Sequence, residues 1–142
     1  MTPGRPGHQN ERQVLEKAYQ RTRYRVTAWS LDILIGQRHP ELDLLLMEKG
    51  CAEWAFLSAC NPDSLPLQRE ENIRRTLLLE EQLQSWRHWA GQGIPMDPGW
   101  EPEDSFLIGG ILLEEALAIA RAFGQLALVA GTKGREASLV WC

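Results

Sequence analysis

Apolar and polar positions along this chain change their period several times, and each change marks an element. Val14, Leu15, Ala18 and Tyr19 follow helical spacing, which predicts a short amphipathic helix from about residue 11 to residue 22. Residues 24–35 are rich in β-branched and aromatic side chains and stop at Gly36, the pattern of a strand. His39-Pro40-Glu41 reads as a helix start, with proline early and an acid in the first turn. Leu42, Leu45 and Leu46 form the buried stripe of that helix, and Gly50 ends it. Residues 52–59 are apolar on both faces, Trp54 and Phe56 against Ala55, Leu57 and Ala59, as expected of an interior strand. A strand, a helix and a strand in this succession predict a right-handed parallel crossover.

The chain then breaks at Asn61-Pro62 and re-enters a helix that starts between Ser64 and Gln68 and is predicted to run to about residue 90. Its positions Asn72, Thr76, Leu79, Leu83, Trp86 and Ala90 are spaced by alternating steps of four and three, which keeps them on one face. A polar Asn72 therefore heads a mainly apolar stripe, and its amide needs partners if buried. Residues 91–102, rich in glycine and proline, are expected to be an irregular connection. A third strand follows at 105–108, ended by Gly109-Gly110. Leu112 or Leu113, Ala116, Ile119, Ala120 and Phe123 form a further helical stripe with Gly124 as its left-handed stop. Residues 126–130 and 136–141, joined by the turn residues 131–134, predict an antiparallel pair. The expected fold is α/β, a single domain with a mixed sheet of about five strands flanked by helices and a C-terminal β-hairpin. That domain is expected to span 11–142, after a disordered leader at 1–10 that carries Pro3, Gly4, Pro6 and Gly7.

Composition narrows the setting. At 142 residues the chain can bury a core without disulfides or a structural metal. Cys51, Cys60 and Cys142 are odd in number and widely spaced, with no C-x-x-C, so a reducing cytoplasm is the expected location. No apolar run approaches the roughly 20 residues of a membrane span, so no membrane association is expected. Residues 1–25 hold six basic side chains against two acidic ones and are net +4, which leaves −8 for the remainder of a chain that totals −4. A basic arm on an acidic body can hold an anionic partner or lie on the protein's own surface. The second outcome is the expected one, because affinity for nucleic acid rests mainly on neutralising phosphates. A nucleic-acid accessory role for the arm is the third alternative.

Motifs of known chemistry are missing from the sequence. There is no G-x-S-x-G elbow, no His-Glu-x-x-His, no glycine-rich phosphate loop and no Cys/His zinc spacing, so neither a metal nor a cofactor is expected. His8, His39 and His88 are poorly placed to serve Cys60 as a base. What does stand out is polar: Asn61, Glu71, Asn72, Arg75, Glu103, Ser105 and Gln125. These gather at one sheet edge if the strand at 105–108 runs antiparallel to that at 52–59, which is the preferred direction. Gathered there they could bind a ligand, with Arg75 forking onto a carboxylate or phosphate and Glu71 or Glu103 as a base whose pKa burial would raise. A structural role fits the same residues, with helix capping at the strand-to-helix junction and Glu71–Arg75 as an ordinary i, i+4 ion pair. Trp89 and Trp100 are the candidates for a partner-binding or homodimer contact, since tryptophan beside arginine is favoured at interfaces.

Ser58-Ala59-Cys60-Asn61-Pro62, Glu71-Asn72, Trp100 with Glu103 and Ser105-Phe106-Leu107, and Phe123-Gly124-Gln125 with Gly131 give the chain a resemblance. It resembles the bacterial family catalogued as domain of unknown function 3293, over roughly residues 54–140. Cys60 stands where that family usually carries an aromatic residue, which counts against a catalytic thiol. The resemblance implies no activity. The expected function is therefore non-catalytic binding or regulation, through the polar edge or the tryptophans, with a protein or an anionic small molecule as partner. A small hydrolase or transferase acting on an anionic metabolite is the alternative.

Overall fold

A computed structural model describes residues 9–142. The chain forms α1 (Gln9–Gln20), β1 (Thr22–Val26), β2 (Leu31–Ile33), α2 (Pro40–Glu48), β3 (Glu53–Ser58), α3 (Arg69–Gln82), β4 (Arg87–Pro95), β5 (Glu103–Gly109), α4 (Leu113–Ala122), β6 (Ala127–Thr132) and β7 (Ser138–Trp141). Of the leader expected at 1–10, residues 1–8 lie outside the described residues, and Gln9 and Asn10 belong to α1.

The sheet has seven strands, not five, in the order β2-β1-β4-β5-β3-β6-β7. Every adjacent pair is antiparallel. The parallel crossover expected between the first two strands is absent, because β2 lies at the sheet's border while β3 lies inside it between β5 and β6. From β3 to β6 the chain runs β-α-β-β-α-β in the order β4-β5-β3-β6, the split β-α-β arrangement of ferredoxin-like domains. Around that unit, β1 and β2 extend one side and β7 the other.

Three segments depart from their expected form. Residues 24–35 are a hairpin rather than one strand: a single 3-10 turn at Thr27–Trp29 and Ser30 in the left-handed region (φ 47°) reverse the chain without any glycine. The helix expected to reach residue 90 stops at Gln82, and Trp86 and Ala90 fall outside it, Ala90 on β4. The connection expected at 91–102 is strand as far as Pro95. Glycine is needed in this interior strand because neighbours approach closely. A Cβ at Gly91 would collide with the Arg25 carbonyl and lie 2.9 Å from the Phe56 ring.

Both faces of the sheet are covered, which explains why β3 is apolar throughout. On the inner face Tyr24, Val26, Ile33, Trp54, Phe56, Leu107 and Val129 pack with Leu42 and Leu46 of α2. On the outer face Ala55, Leu57, Phe106, Ile108 and Leu128 pack under Leu79, Ala116 and Ala120 of α3 and α4. The sheet curls about its inner face until its borders meet at one end. There Gly36 N donates to the Ala137 carbonyl at 2.8 Å, and Ala137 N donates to the Gln37 carbonyl at 3.0 Å. Among the described residues no helix is long and apolar enough to cross a membrane.

Candidate functional site

β5 runs antiparallel to β3, with Ser58 opposite Ser105, so the end of β3, the start of β5 and the start of β6 share one sheet edge. That is the direction preferred on sequence grounds, and it brings Asn61, Asn72, Arg75, Glu103, Ser105 and Gln125 into one region. The backbone that links β3 to α3 is unusual. Asn61 (φ 49°), Asp63 (φ 56°) and Ser64 (φ 58°) are all left-handed, a conformation that non-glycine residues adopt at a cost unless side-chain bonds support it.

Asn61 and Asn72 supply that support. The Asn72 Oδ1 accepts from Asn61 N at 3.0 Å, and Asn72 Nδ2 donates to Asn61 Oδ1 at 2.9 Å. Asn61 Oδ1 also accepts from Leu67 N at 2.9 Å, while Asn61 Nδ2 donates to Glu103 Oε2 at 2.6 Å. The polar head of the α3 stripe is thus satisfied, as a half-buried amide must be.

Arg75 and Gln125 bind backbone. Arg75 Nε donates to the Ala59 carbonyl at 2.6 Å, and its Nη2 donates to the Phe123 carbonyl. Gln125 Nε2 donates to the Cys60 carbonyl at 2.9 Å and, more weakly, to that of Phe123 at 3.3 Å. These bonds tie the end of β3 to the last turn of α4. The expected Glu71–Arg75 pair does not form: Glu71 instead pairs with Arg74, at 2.6 Å on the solvent side of α3, because Arg75 is turned inward onto the carbonyls.

The two candidate bases separate. The hydrogen bonds from Arg74 hold the exposed Glu71 carboxyl below its usual range. Burial pushes the Glu103 carboxyl up, opposed only in part by the Asn61 amide. Beside it, burial pushes the Tyr19 phenol up to about 12, with the Glu103 charge adding to the effect and Ser64 opposing it. Tyr24, whose hydroxyl donates to the Tyr19 carbonyl at 2.7 Å, is raised for the same reason, burial first. Tyr19, Ser64 and Tyr24 were not among the sequence candidates. Their traces in the sequence are the place of Tyr19 on the helical stripe with Leu15 and the alternation of Tyr24 with Thr22 and Val26, the period of a strand face.

Ser105 is buried, and its hydroxyl donates to the Glu103 carbonyl at 3.1 Å. Cys60 is buried, and desolvation raises its thiol, against hydrogen bonds from Ser58 and Thr76. A raised thiol is a poor nucleophile. Trp89 does not flank a helix but sits half-buried on β4, its ring 4.8 Å from that of Trp29 against the inner core. Trp100 is 65% exposed in the loop between β4 and β5. That loop is pinned to the end of α1, where Met96 N donates to the Arg21 carbonyl at 2.8 Å and Asp97 pairs with Arg21 at 2.8 Å.

Of the six basic side chains at 1–25, Arg5 lies outside the described residues and four others meet groups of the protein itself. Arg21 pairs with Asp97, Arg23 and Arg25 with Asp32, and the Arg12 guanidinium lies 4.3 Å over the Trp141 ring. Among the described residues no three His, Cys, Asp or Glu side chains converge as metal ligands. An open groove of about 340 Å³ runs between α3 and α4, lined by Gln82, Ala118, Ile119, Ala122 and Phe123.

No curated protein and no solved structure matches the chain. A family model does match residues 57–128, from the end of β3 to the start of β6, a stretch that holds the Asn61–Asn72 junction, Arg75, Glu103 and Gln125. The chain belongs to that family, described as Protein of unknown function (DUF3293).

Proposed function

We propose that the protein is a non-catalytic binding module and that it meets its partner at the sheet edge where β3 ends and β5 begins. The observation that carries this reading is an apolar rim on two loops of that edge: Leu65 after β3, and Met96 and Trp100 after β4, are 42%, 45% and 65% exposed. Exposed apolar groups scattered singly need no explanation, but a tryptophan and a methionine on one anchored loop are the composition of a contact surface. The loops are held in place from below. Asn61 joins one to Glu103 at the base of the other, and Arg21–Asp97 fixes the second to α1. A surface built in advance loses little conformational entropy when it binds.

Catalysis has less support, since Arg75 and Gln125 have donors bonded to main-chain carbonyls and Cys60 carries a buried thiol. The test is capture from cell lysate on immobilised wild type and on a Met96→Ser, Trp100→Ser double variant. Both substitutions fall on exposed side chains, so the melting temperature is expected to stay within a degree or two. Partners retained by the wild type should be lost from the variant. Equal retention by a folded variant would refute the reading.

A further inference from the structure

The inner face of the sheet has a gap beside Glu103. Gly93 of β4 pairs directly with Tyr24 on one side and Glu103 on the other. Directly opposed residues of an antiparallel pair point to the same face, so Gly93 leaves a missing side chain between a phenol and a carboxyl. Two residues earlier, the equivalent space at Gly91 is filled by the Phe56 ring. At Gly93 it is not: a Cβ there would have only the Thr22 methyl near it, at 3.7 Å.

The chemistry of the gap is one-sided. Glu103 is half-buried, and among the described residues it makes no ion pair; its one side-chain hydrogen bond comes from the neutral Asn61 amide, to Oε2. The phenols near it, Tyr19 and, across the gap, Tyr24, are neutral as well. Burying a carboxylate without a counter-charge is costly, and proteins keep such groups mainly where something else supplies the charge. Aromatic faces beside a carboxylate complement a cation in particular.

We propose that the gap over Gly93 is a subsite for a small organic cation, an alkylammonium or guanidinium group, with Glu103 as its counter-charge and Tyr24 as its wall. This rests on the reading of the same edge as a binding surface and names the chemistry of the group that enters it. A free amine and a lysine or arginine side chain of a protein partner share that chemistry. In the second case the rim at Leu65, Met96 and Trp100 would receive the rest of the partner.

The test is a titration of isotope-labelled protein with n-butylammonium and with methylguanidinium, following the amide resonances of Gly93 and Glu103, with butyrate and butyramide as controls at matched ionic strength. At least one of the cations should give saturable shifts at these amides, and the controls none. Glu103→Gln keeps an acceptor for the Asn61 amide but removes the charge, and should weaken cation binding roughly tenfold or more. Gly93→Val fills the gap with a β-branched residue suited to a strand and should abolish binding in a folded protein. No saturable shift with either cation, equal response to butyramide, or undiminished binding in Glu103→Gln would each overturn the proposal. A failed titration beside a lysate capture that still depends on Met96 and Trp100 would reject the cation subsite alone and leave the binding edge standing. If the subsite is confirmed, a chain with capped lysine or arginine separates the sources: tighter binding of N-acetyl-lysine amide or N-acetyl-arginine amide than of the free amine points to a protein side chain, and weaker binding to a free metabolite.

Discussion

The β-α-β-β-α-β unit turns from strand into helix twice, and the two turns are built differently. After β5 the chain uses Gly110 at φ 75°, and the start of α4 is supported by one side-chain bond, from Leu112 N to Glu115 Oε1 at 3.3 Å. After β3 it uses Asn61, Asp63 and Ser64 at positive φ, with Asn72, Arg75 and Gln125 bonded around them. Glycine would adopt the left-handed backbone more easily at the second turn as well. At Asn61 the side chain is put to use, since it bonds Leu67, Asn72 and Glu103 across the turn.

The largest effect should follow from cutting the carbonyl clamp. Arg75→Met keeps the length of the side chain but leaves the Ala59 and Phe123 carbonyls without their guanidinium donors, and is expected to cost about 3 kcal/mol in urea unfolding. Asn61→Gly suits the backbone yet removes the bonds to Leu67, Asn72 and Glu103, and should cost about 2 kcal/mol. A silent Asn61→Gly would erase the difference between the two turns, for then conformation alone would matter. At the other turn, Gly110→Ala should cost about 1 kcal/mol by conformation only, because a Cβ there meets nothing closer than the Cys51 sulfur at 3.7 Å. A much larger loss would mean that this turn, too, depends on contacts.

The smallest effect carries the opposite sign and depends on pH. The folded protein binds a proton at Glu103 more tightly than the unfolded chain does, since burial raises that carboxyl above its ordinary 4.5. The stability linked to it is fully present below the unfolded value and is lost as pH rises through the folded one. Glu103→Gln should therefore melt slightly above the wild type at pH 7, and the two should converge below the ordinary carboxyl value. A lower melting temperature for the variant at neutral pH would show the carboxylate to be part of the scaffold and not a charge held for a ligand.

Strands with an apolar signal on both faces, β3 and β5, and the helices with strong caps or stripes, α2 and α4, were legible in the sequence. β4 was not. Its Gly91, Gly93 and Pro95 look like loop residues because the reasons for them, the Phe56 ring and the gap beside Glu103, lie in other strands. The apparent extension of α3 through Trp86 and Ala90 came from spacing that continued by coincidence beyond Gln82. The candidate site was legible as a set of residues but not as a set of roles. Helical spacing offers Arg75 to Glu71, whereas the carbonyls that claim it follow β3 and α4, far along the chain.

The meeting of Gly36 and Gln37 with Ala137 also bears on how the chain folds. Those partners lie about 100 residues apart, and a contact between segments so far apart must wait for both. The seam between the two borders is therefore expected to close after the local hairpins β1–β2 and β6–β7 have formed.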